Sequence, residues 1–314
     1  MNSDLDQNEF SGFLTELGAR MKSASERGQV ASYISELAKV NPQQFGISLC
    51  LLDGERLNIG DTTTPFSIQS ISKVFTLAIA LGRYGDRLWM RVGKEPSNYA
   101  FNSVVELENE NGKPRNPFVN AGAIVTTDVI LSGGEPKSTL GELLLFMRTA
   151  AADDQIFINE KVAAAESKTG HRNLALAHFL RSCNNLDNEC DRVLGTYFHQ
   201  CAIEMNCEQL ANAGRFLAGL HHGQRLIGRQ HVRSINALMM IAGHYDGSGE
   251  FAYSVGFPGK SGVGGGILAI VPGKASIAVW SPGLNRFGNS LLGTRALEEL
   301  SRFTGWSIFE VSAH

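Results

Sequence analysis

The 314-residue chain is short of cysteine (5) and proline (9), carries only 19% charged residues and has no long hydrophobic run. Each shortage excludes something. Five cysteines, an odd and sparse count, do not make a disulfide scaffold. Cys183, Cys190, Cys201 and Cys207 are spaced by 7, 11 and 6, which matches no Cys-x-x-Cys zinc pattern, so they read as buried structural thiols. The most apolar stretch, Val74 to Leu81, falls far short of the roughly 20 residues that span a bilayer. With 28 Lys+Arg against 31 Asp+Glu the net charge is only -3, and no basic run offers a footprint for nucleic acid. The N-terminus, Met1 to Glu9, is acidic and lacks a basic region followed by an apolar core. A cytoplasmic protein with reduced thiols is expected.

What is present is an apolar fraction of 43% and 34 glycines, without a repeat or a low-complexity linker. A chain of this size can bury about 75% of its unfolded surface, so a large core needs no staples. Residues 8–40 read as two helical segments broken at Ser25 and Gly28. Two apolar runs around Asp53-Gly54 mark a hairpin over 45–59, and two more flank Pro272-Gly273-Lys274 over 266–280. Between them, from Pro65 to about Gly243, nearly every segment has helical periodicity. Thr139 and Glu142 fit a capping box, and a last helix is expected over about 290–303. Strands at both ends with helices between predict an α+β fold, with one antiparallel sheet built from the N- and C-terminal strands. The chain then reads as one catalytic unit, 1–314, with two lobes. One is a sheet lobe (about 20–65 and 245–314) and the other a mainly helical lobe (about 66–244), with a cleft between them suited to a small molecule.

The densest chemical signal is Pro65-Phe66-Ser67-Ile68-Gln69-Ser70-Ile71-Ser72-Lys73. Pro65 suits a first helical turn and Gly82 a stop, and Ile71, Val74, Phe75, Ala78 and Leu81 give an apolar face. Ser70 and Lys73 stand at i and i+3, on one face. Burial of the lysine lowers its pKa, so a neutral amine can take the serine's proton. The helix N-terminus presents N–H groups to developing negative charge. Taken alone, the pair is equally compatible with a lysine whose stem lies along the surface. A second cluster, Pro258-Gly259-Lys260-Ser261-Gly262-Val263-Gly264-Gly265-Gly266, precedes a strand. Its N–H groups can line an oxyanion hole, with Val263 and Ser70 as donors. Because it enters a strand and not a helix, it is not a phosphate-binding loop. A tight turn at a strand start explains the glycines equally well.

Together these elements resemble the penicillin-recognising serine enzymes and β-lactamases, and are still closer to the serine-dependent glutaminases. The resemblance rests on Gln69-Ser70-Ile71-Ser72-Lys73, on Asn116-Pro117-Phe118-Val119-Asn120-Ala121-Gly122-Ala123-Ile124, and on Tyr245-Asp246-x-Ser248-Gly249 leading into Lys260-Ser261-Gly262-Val263. It runs in order from about Tyr33 to Ser290. It implies a β-lactamase-like fold and hydrolysis of L-glutamine to L-glutamate and ammonia through a serine acyl-enzyme, without cofactor or metal. It also implies self-association as a dimer or tetramer, while the charge balance and the short apolar runs leave no nucleic-acid or membrane partner expected.

Residue by residue, the resemblance makes Ser70 the nucleophile, Lys73 its base, Tyr245 a proton relay and Val263 an oxyanion donor. Tyr33, Asn120, Glu166, Asn173 and Tyr197 would hold the amino acid end of the substrate, with Ser70, Tyr245 and Val263 at its reacting end. Lys260 would be a supporting charge. This agrees with elementary chemistry, since one anion can pair with an ammonium while amides and phenols bond a carboxylate. Gly259 stands where the family commonly has alanine. His221-His222 and His171 have no metal-ligand partner at suitable spacing. Two other readings belong to different classes: a penicillin-recognising hydrolase or peptidase of the same fold, and a non-enzymatic amino acid binder with an idle serine.

Overall fold

The computed structural model describes residues 6–97, 99–220 and 225–311; His221 and His222 lie outside the described residues. Helix α1 (Gln7–Ser23) is followed by strand β1 (Gln29–Val30), the hairpin β2 (Gly46–Leu51) and β3 (Arg56–Gly60), and the short β4 (Phe66–Ser67). A 3-10 turn over Gln69–Ile71 leads into α2 (Ser72–Tyr84). Next come α3 (Val104–Asn109), α4 (Asn120–Leu131) and α5 (Pro136–Ala151). Strand β5 (Phe157–Ile158) precedes α6 (Glu160–Thr169), α7 (His171–Ser182) and α8 (Cys190–Cys201). Strand β6 (Ile203–Met205) precedes α9 (Cys207–Ala213), α10 (Arg215–Ala218) and α11 (Arg229–Ala242). The chain closes with α12 (Ser248–Ser254), β7 (Gly259–Ser261), β8 (Gly266–Val271), β9 (Ala275–Trp280), β10 (Gly283–Leu284) and α13 (Leu291–Thr304).

The expected α+β class and antiparallel sheet are present. Five strands pair in the order β3-β2-β9-β8-β7, each antiparallel to its neighbour, so residues 46–60 and 259–280 form one sheet. Side chains alternate between its faces with a period of two. On β8, Ile267, Ala269 and Val271 join one apolar cluster while Leu268 and Ile270 join another. On β9, Ile277 and Val279 face the first and Ala278 and Trp280 the second. The first cluster is closed by α1, α12 and α13, where Phe13 stacks on Phe303 at 4.0 Å. The second is the larger and takes in α2, α4, α5, α7, α8, α9 and α11. Burial on both faces explains why β8 and β9 read as continuous apolar runs.

Three local expectations are corrected. Residues 25–40 do not form a second helix: β1 pairs with β10, Gln29 opposite Leu284, and only a 3-10 turn follows at Leu37–Lys39. Long-range pairing there overrides local propensity. Pro65 does not open the helix of Lys73, and Gly82 does not end it. The chain first runs through β4, and α2 ends at Gly85, whose φ of 54° is favoured by glycine. Thr139 and Glu142 are not a capping box. Helix α5 starts a turn earlier with Pro136 in its first turn, where a missing N–H costs nothing, and Glu142 instead pairs with Arg83 of α2.

Candidate active site

Ser70 sits in the 3-10 turn between β4 and α2 rather than inside a regular helix. Three contacts fix that turn. Ile68 N–H donates to Ile203 O of β6 at 2.9 Å, Ser67 Oγ to Cys201 O at 3.0 Å, and Gln69 Nε2 to Ser67 Oγ at 3.0 Å. Gln69, immediately before Ser70, has φ 50°, a left-handed conformation that a side chain rarely adopts and that persists only where its surroundings enforce it. The glycine cluster supplies that enforcement. A Cβ on Gly262 would lie 2.4 Å from Ile68 O, and one on Gly264 2.2 Å from Ser67 O. The loop from β7 to β8 therefore lies against the backbone that carries Ser70, and this close approach requires the glycines.

Lys73, on the first turn of α2, is fully buried. Its Nζ donates to Phe118 O at 3.0 Å and Asn120 Oδ1 at 2.8 Å. Burial lowers its pKa to about 8, with Cys201 and Glu166 opposing. A neutral amine has two N–H groups and one lone pair. In that form, which a pKa of about 8 brings within reach, the two contacts use both donors and leave the lone pair to accept a proton. Tyr245 also has a left-handed backbone, φ 54°. Burial raises its phenol above the ordinary value, although Ser70 and the Val263 N–H are within hydrogen-bonding reach of the hydroxyl. Lys260 is fully buried on β7, its Nζ donating to Gly243 O at 3.0 Å and Ser261 O at 2.6 Å and lying 4.6 Å from the Tyr245 ring centre. Burial, and then Lys73, hold it well below the usual lysine value.

Ser70 and Val263 line a cavity of about 220 Å³ together with Tyr33, Asn120, Glu166, Asn173 and Tyr197. Seven of the ten expected site residues thus line one cavity. Tyr245, Lys73 and Lys260 are not part of the cavity lining. Asn120 joins the two groups, since its Oδ1 accepts from Lys73 while its Nδ2 donates to Asn173 Oδ1 at 2.9 Å. Glu166 on α6 has a buried Oε2 without a hydrogen-bond partner. Burial pushes its carboxyl up to about 8, with Lys73 pulling the other way. Tyr197 on α8 is buried and its hydroxyl is raised well above 10, mainly by burial. Tyr33 is 57% exposed, yet burial is also the first cause that raises its hydroxyl. The residue therefore lies at the rim of the cavity.

The motifs did not single out Phe101, Asn102, Arg172 or Cys201, which also line the cavity. Arg172 adjoins Asn173 and was detectable on that ground; it puts a guanidinium at the mouth of a site expected to use neutral donors only. Cys201 stands four residues after Tyr197 on α8, so the thiols are not all remote structural groups. Cys183 is only half-buried, and all five cysteines are free. Among the described residues no three His, Cys, Asp or Glu side chains gather as metal ligands, and no helix is long and apolar enough to cross a membrane. A larger cavity of about 760 Å³ adjoins α10 and α11, but its described lining is apolar apart from Asn236 and three arginines, and holds neither nucleophile nor base.

A glutaminase family model matches residues 28–309. A glutaminase of Methylobacterium radiotolerans is 59% identical over 300 residues, covering 94% of this chain and 97% of that protein. A glutaminase of Rhodopseudomonas palustris strain HaA2 is 60% identical over 304 residues, covering 95% and 97%. Among solved structures, the probable glutaminase ybaS superposes with a TM-score of 0.92 at 36% identity, over 98% of this chain and all of that one. A probable glutaminase from Bacillus subtilis complexed with 6-diazo-5-oxo-L-norleucine gives 0.86 at 32% identity, over 98% of each chain.

Proposed function

The chain belongs to the glutaminase family, an amidohydrolase converting L-glutamine to L-glutamate and ammonia, and on that premise we propose that it acts through a γ-glutamyl ester on Ser70. Family membership favours the amino acid amide over the β-lactam and peptide substrates that Ser-x-x-Lys alone left open. The observation that carries the mechanism is the setting of Lys73: buried, its pKa lowered to about 8, with Nζ 3.0 Å from Phe118 O and 2.8 Å from Asn120 Oδ1.

In the proposed reaction, the Lys73 lone pair takes the Ser70 proton as Oγ attacks the γ-carboxamide carbon. The oxygen that becomes negative is held by the N–H groups of Ser70 and Val263. Tyr245, in reach of Ser70, passes the proton to the departing nitrogen as the C–N bond breaks, and ammonia leaves. Water then forms a new C–O bond, the ester bond to Ser70 breaks, and its proton returns to Oγ. Glu166, with a buried oxygen lacking a partner, receives the substrate ammonium. Asn173, Tyr197 and Tyr33 receive its carboxylate with Arg172 at the mouth, while Asn120 aligns Lys73 and Asn173. Lys260 fastens β7 to the segment that carries Tyr245, its Nζ donating to Gly243 O and Ser261 O beside the Tyr245 ring.

The finer fold assignment, a β-lactamase-like arrangement in one two-lobed catalytic unit, belongs to the same proposal. So do a cytoplasmic location and self-association as a dimer or tetramer, the latter readable by sedimentation. The chemistry is tested by trapping. With hydroxylamine present, the wild type is expected to divide its product between glutamate and γ-glutamyl hydroxamate at constant total ammonia release. Failure to form hydroxamate at any hydroxylamine concentration would remove the ester from the mechanism.

A further inference from the structure

We propose that His244 and Gly259 form a ring-and-socket pair that positions Tyr245. The inference rests on the role given to Tyr245 above. Residues 243–245 are fastened to β7 at three levels. Gly243 O accepts Ser261 N–H at 3.0 Å and Lys260 Nζ at 3.0 Å, and a Cβ on Gly243 would lie 1.7 Å from Gly259 O. At the far end the Tyr245 hydroxyl lies 3.4 Å from Ser261 O. Between them the imidazole of His244 is buried and stacks on Phe251, ring centres 3.5 Å apart at 12°. The space it occupies is the one a side chain at 259 would need. A Cβ there would lie 2.6 Å from His244 Cε1 and 3.0 Å from Phe251 Cε1.

Gly259 is not required by its backbone. Its φ is not positive, and it pairs regularly with Ala269 in the sheet. The absent Cβ therefore serves the ring. The ring in turn has no polar reason for its place, because neither nitrogen has a hydrogen-bond partner. Burial, and then Lys260, hold it well below the ordinary histidine value, so it is neutral. What it provides is shape. Its backbone cannot retreat, since its N–H donates to Ser248 Oγ at 3.0 Å and its carbonyl accepts from Asn289 Nδ2 at 3.0 Å. The next residue is Tyr245 in its left-handed conformation, which relaxes unless both sides of the segment are fixed. A flat ring wedged between Phe251 and a bare strand position supplies that constraint.

The test is a double-mutant cycle on glutamine turnover, run well below the melting temperature of every variant. Gly259→Ala is expected to lower kcat at least tenfold with KM changed less than threefold. A purely structural loss would instead lower Tm and leave kcat of the folded enzyme intact. His244→Ala/Gly259→Ala, in which the new methyl takes the vacated space, is expected to recover at least threefold over Gly259→Ala. Wild-type kcat in Gly259→Ala, or strictly additive losses, would overturn the proposal. Should Gly259→Ala not fold, His244→Leu carries the test. A branched side chain cannot fill a flat slot, so kcat falls at least fivefold; no fall overturns the pairing. Tyr245→Phe separates the two claims. If it is inactive while Gly259→Ala is normal, only the socket fails. If it keeps wild-type turnover, the role of Tyr245 and the socket fail together.

Discussion

At the scale of the residue, burial takes charged groups of the candidate site out of water. Lys73 and Glu166 are both drawn to about 8, the amine downward and the carboxyl upward, mainly by burial. In the proposed mechanism the amine acts in its neutral form and the carboxylate receives the ammonium in its ionised form. Both forms are deprotonated, so both requirements act in the same direction. Accordingly kcat/KM should rise with pH and level off above about 8, the pair titrating as coupled macroscopic steps. A profile flat between pH 6 and 9 would contradict this. Glu166→Gln keeps the shape and loses the charge. KM should rise at least about tenfold, as expected for a charged hydrogen bond worth roughly 1.5–3 kcal/mol, with a smaller effect on kcat. Of these residues, the sequence made the identities legible but not the protonation states. Nothing in Ser-x-x-Lys says that Phe118 O and Asn120 Oδ1 occupy the amine's two donors, because that depends on a carbonyl 45 residues away.

At the scale of the element, the site depends on backbones that touch. The loop from β7 to β8 lies against the turn carrying Ser70, so Gly264→Ala must move one or the other, Ser67 O being 2.2 Å from the added carbon. The expected cost is about 1–3 kcal/mol of stability together with a large loss of kcat, read by urea unfolding and ammonia release. A second joint is Asp128 on α4. It is buried, paired with Arg91 at 2.6 Å, and accepts the N–H groups of Asp187 and Asn188 at 3.0 and 2.9 Å. Asp128→Ala should cost about 1–3 kcal/mol, because it leaves the two N–H groups and the Asn188 amide without their acceptor, while Arg91 keeps Asp187 and Asn185. Elements were legible where periodicity agreed with packing, as in both hairpins and α13. They were not legible at β1, whose partner is more than 250 residues away and whose sequence carries no local strand signal. The start of α5 was misplaced because Thr139 and Glu142 fit a cap by type, while Pro136 already defined the first turn.

At the scale of the whole molecule, one sheet made from both ends of the chain separates two apolar clusters and brings the β7–β8 loop to the helices that hold Glu166, Asn173 and Tyr197. That convergence follows from the alternating runs and the order of elements, so the fold class was readable. The two left-handed residues Gln69 and Tyr245 were not, because neither is a glycine. Buried neutral His244 also affects global stability. Its folded pKa lies well below its unfolded value of about 6.5, so the unfolded chain binds more protons as the pH falls. The stability of the wild type relative to His244→Ala should therefore decline from pH 7 to pH 5. A difference independent of pH would mean that the ring is not held neutral.

The central claim is that Ser70 carries the γ-glutamyl group. Its most direct test is the rate of ammonia release from glutamine by Ser70→Ala, measured beside wild type, with circular dichroism confirming the same fold. A fall of at least about 10⁴-fold in kcat is predicted, the scale on which the loss of a nucleophile is felt in a site of this kind. Turnover within tenfold of wild type would contradict it.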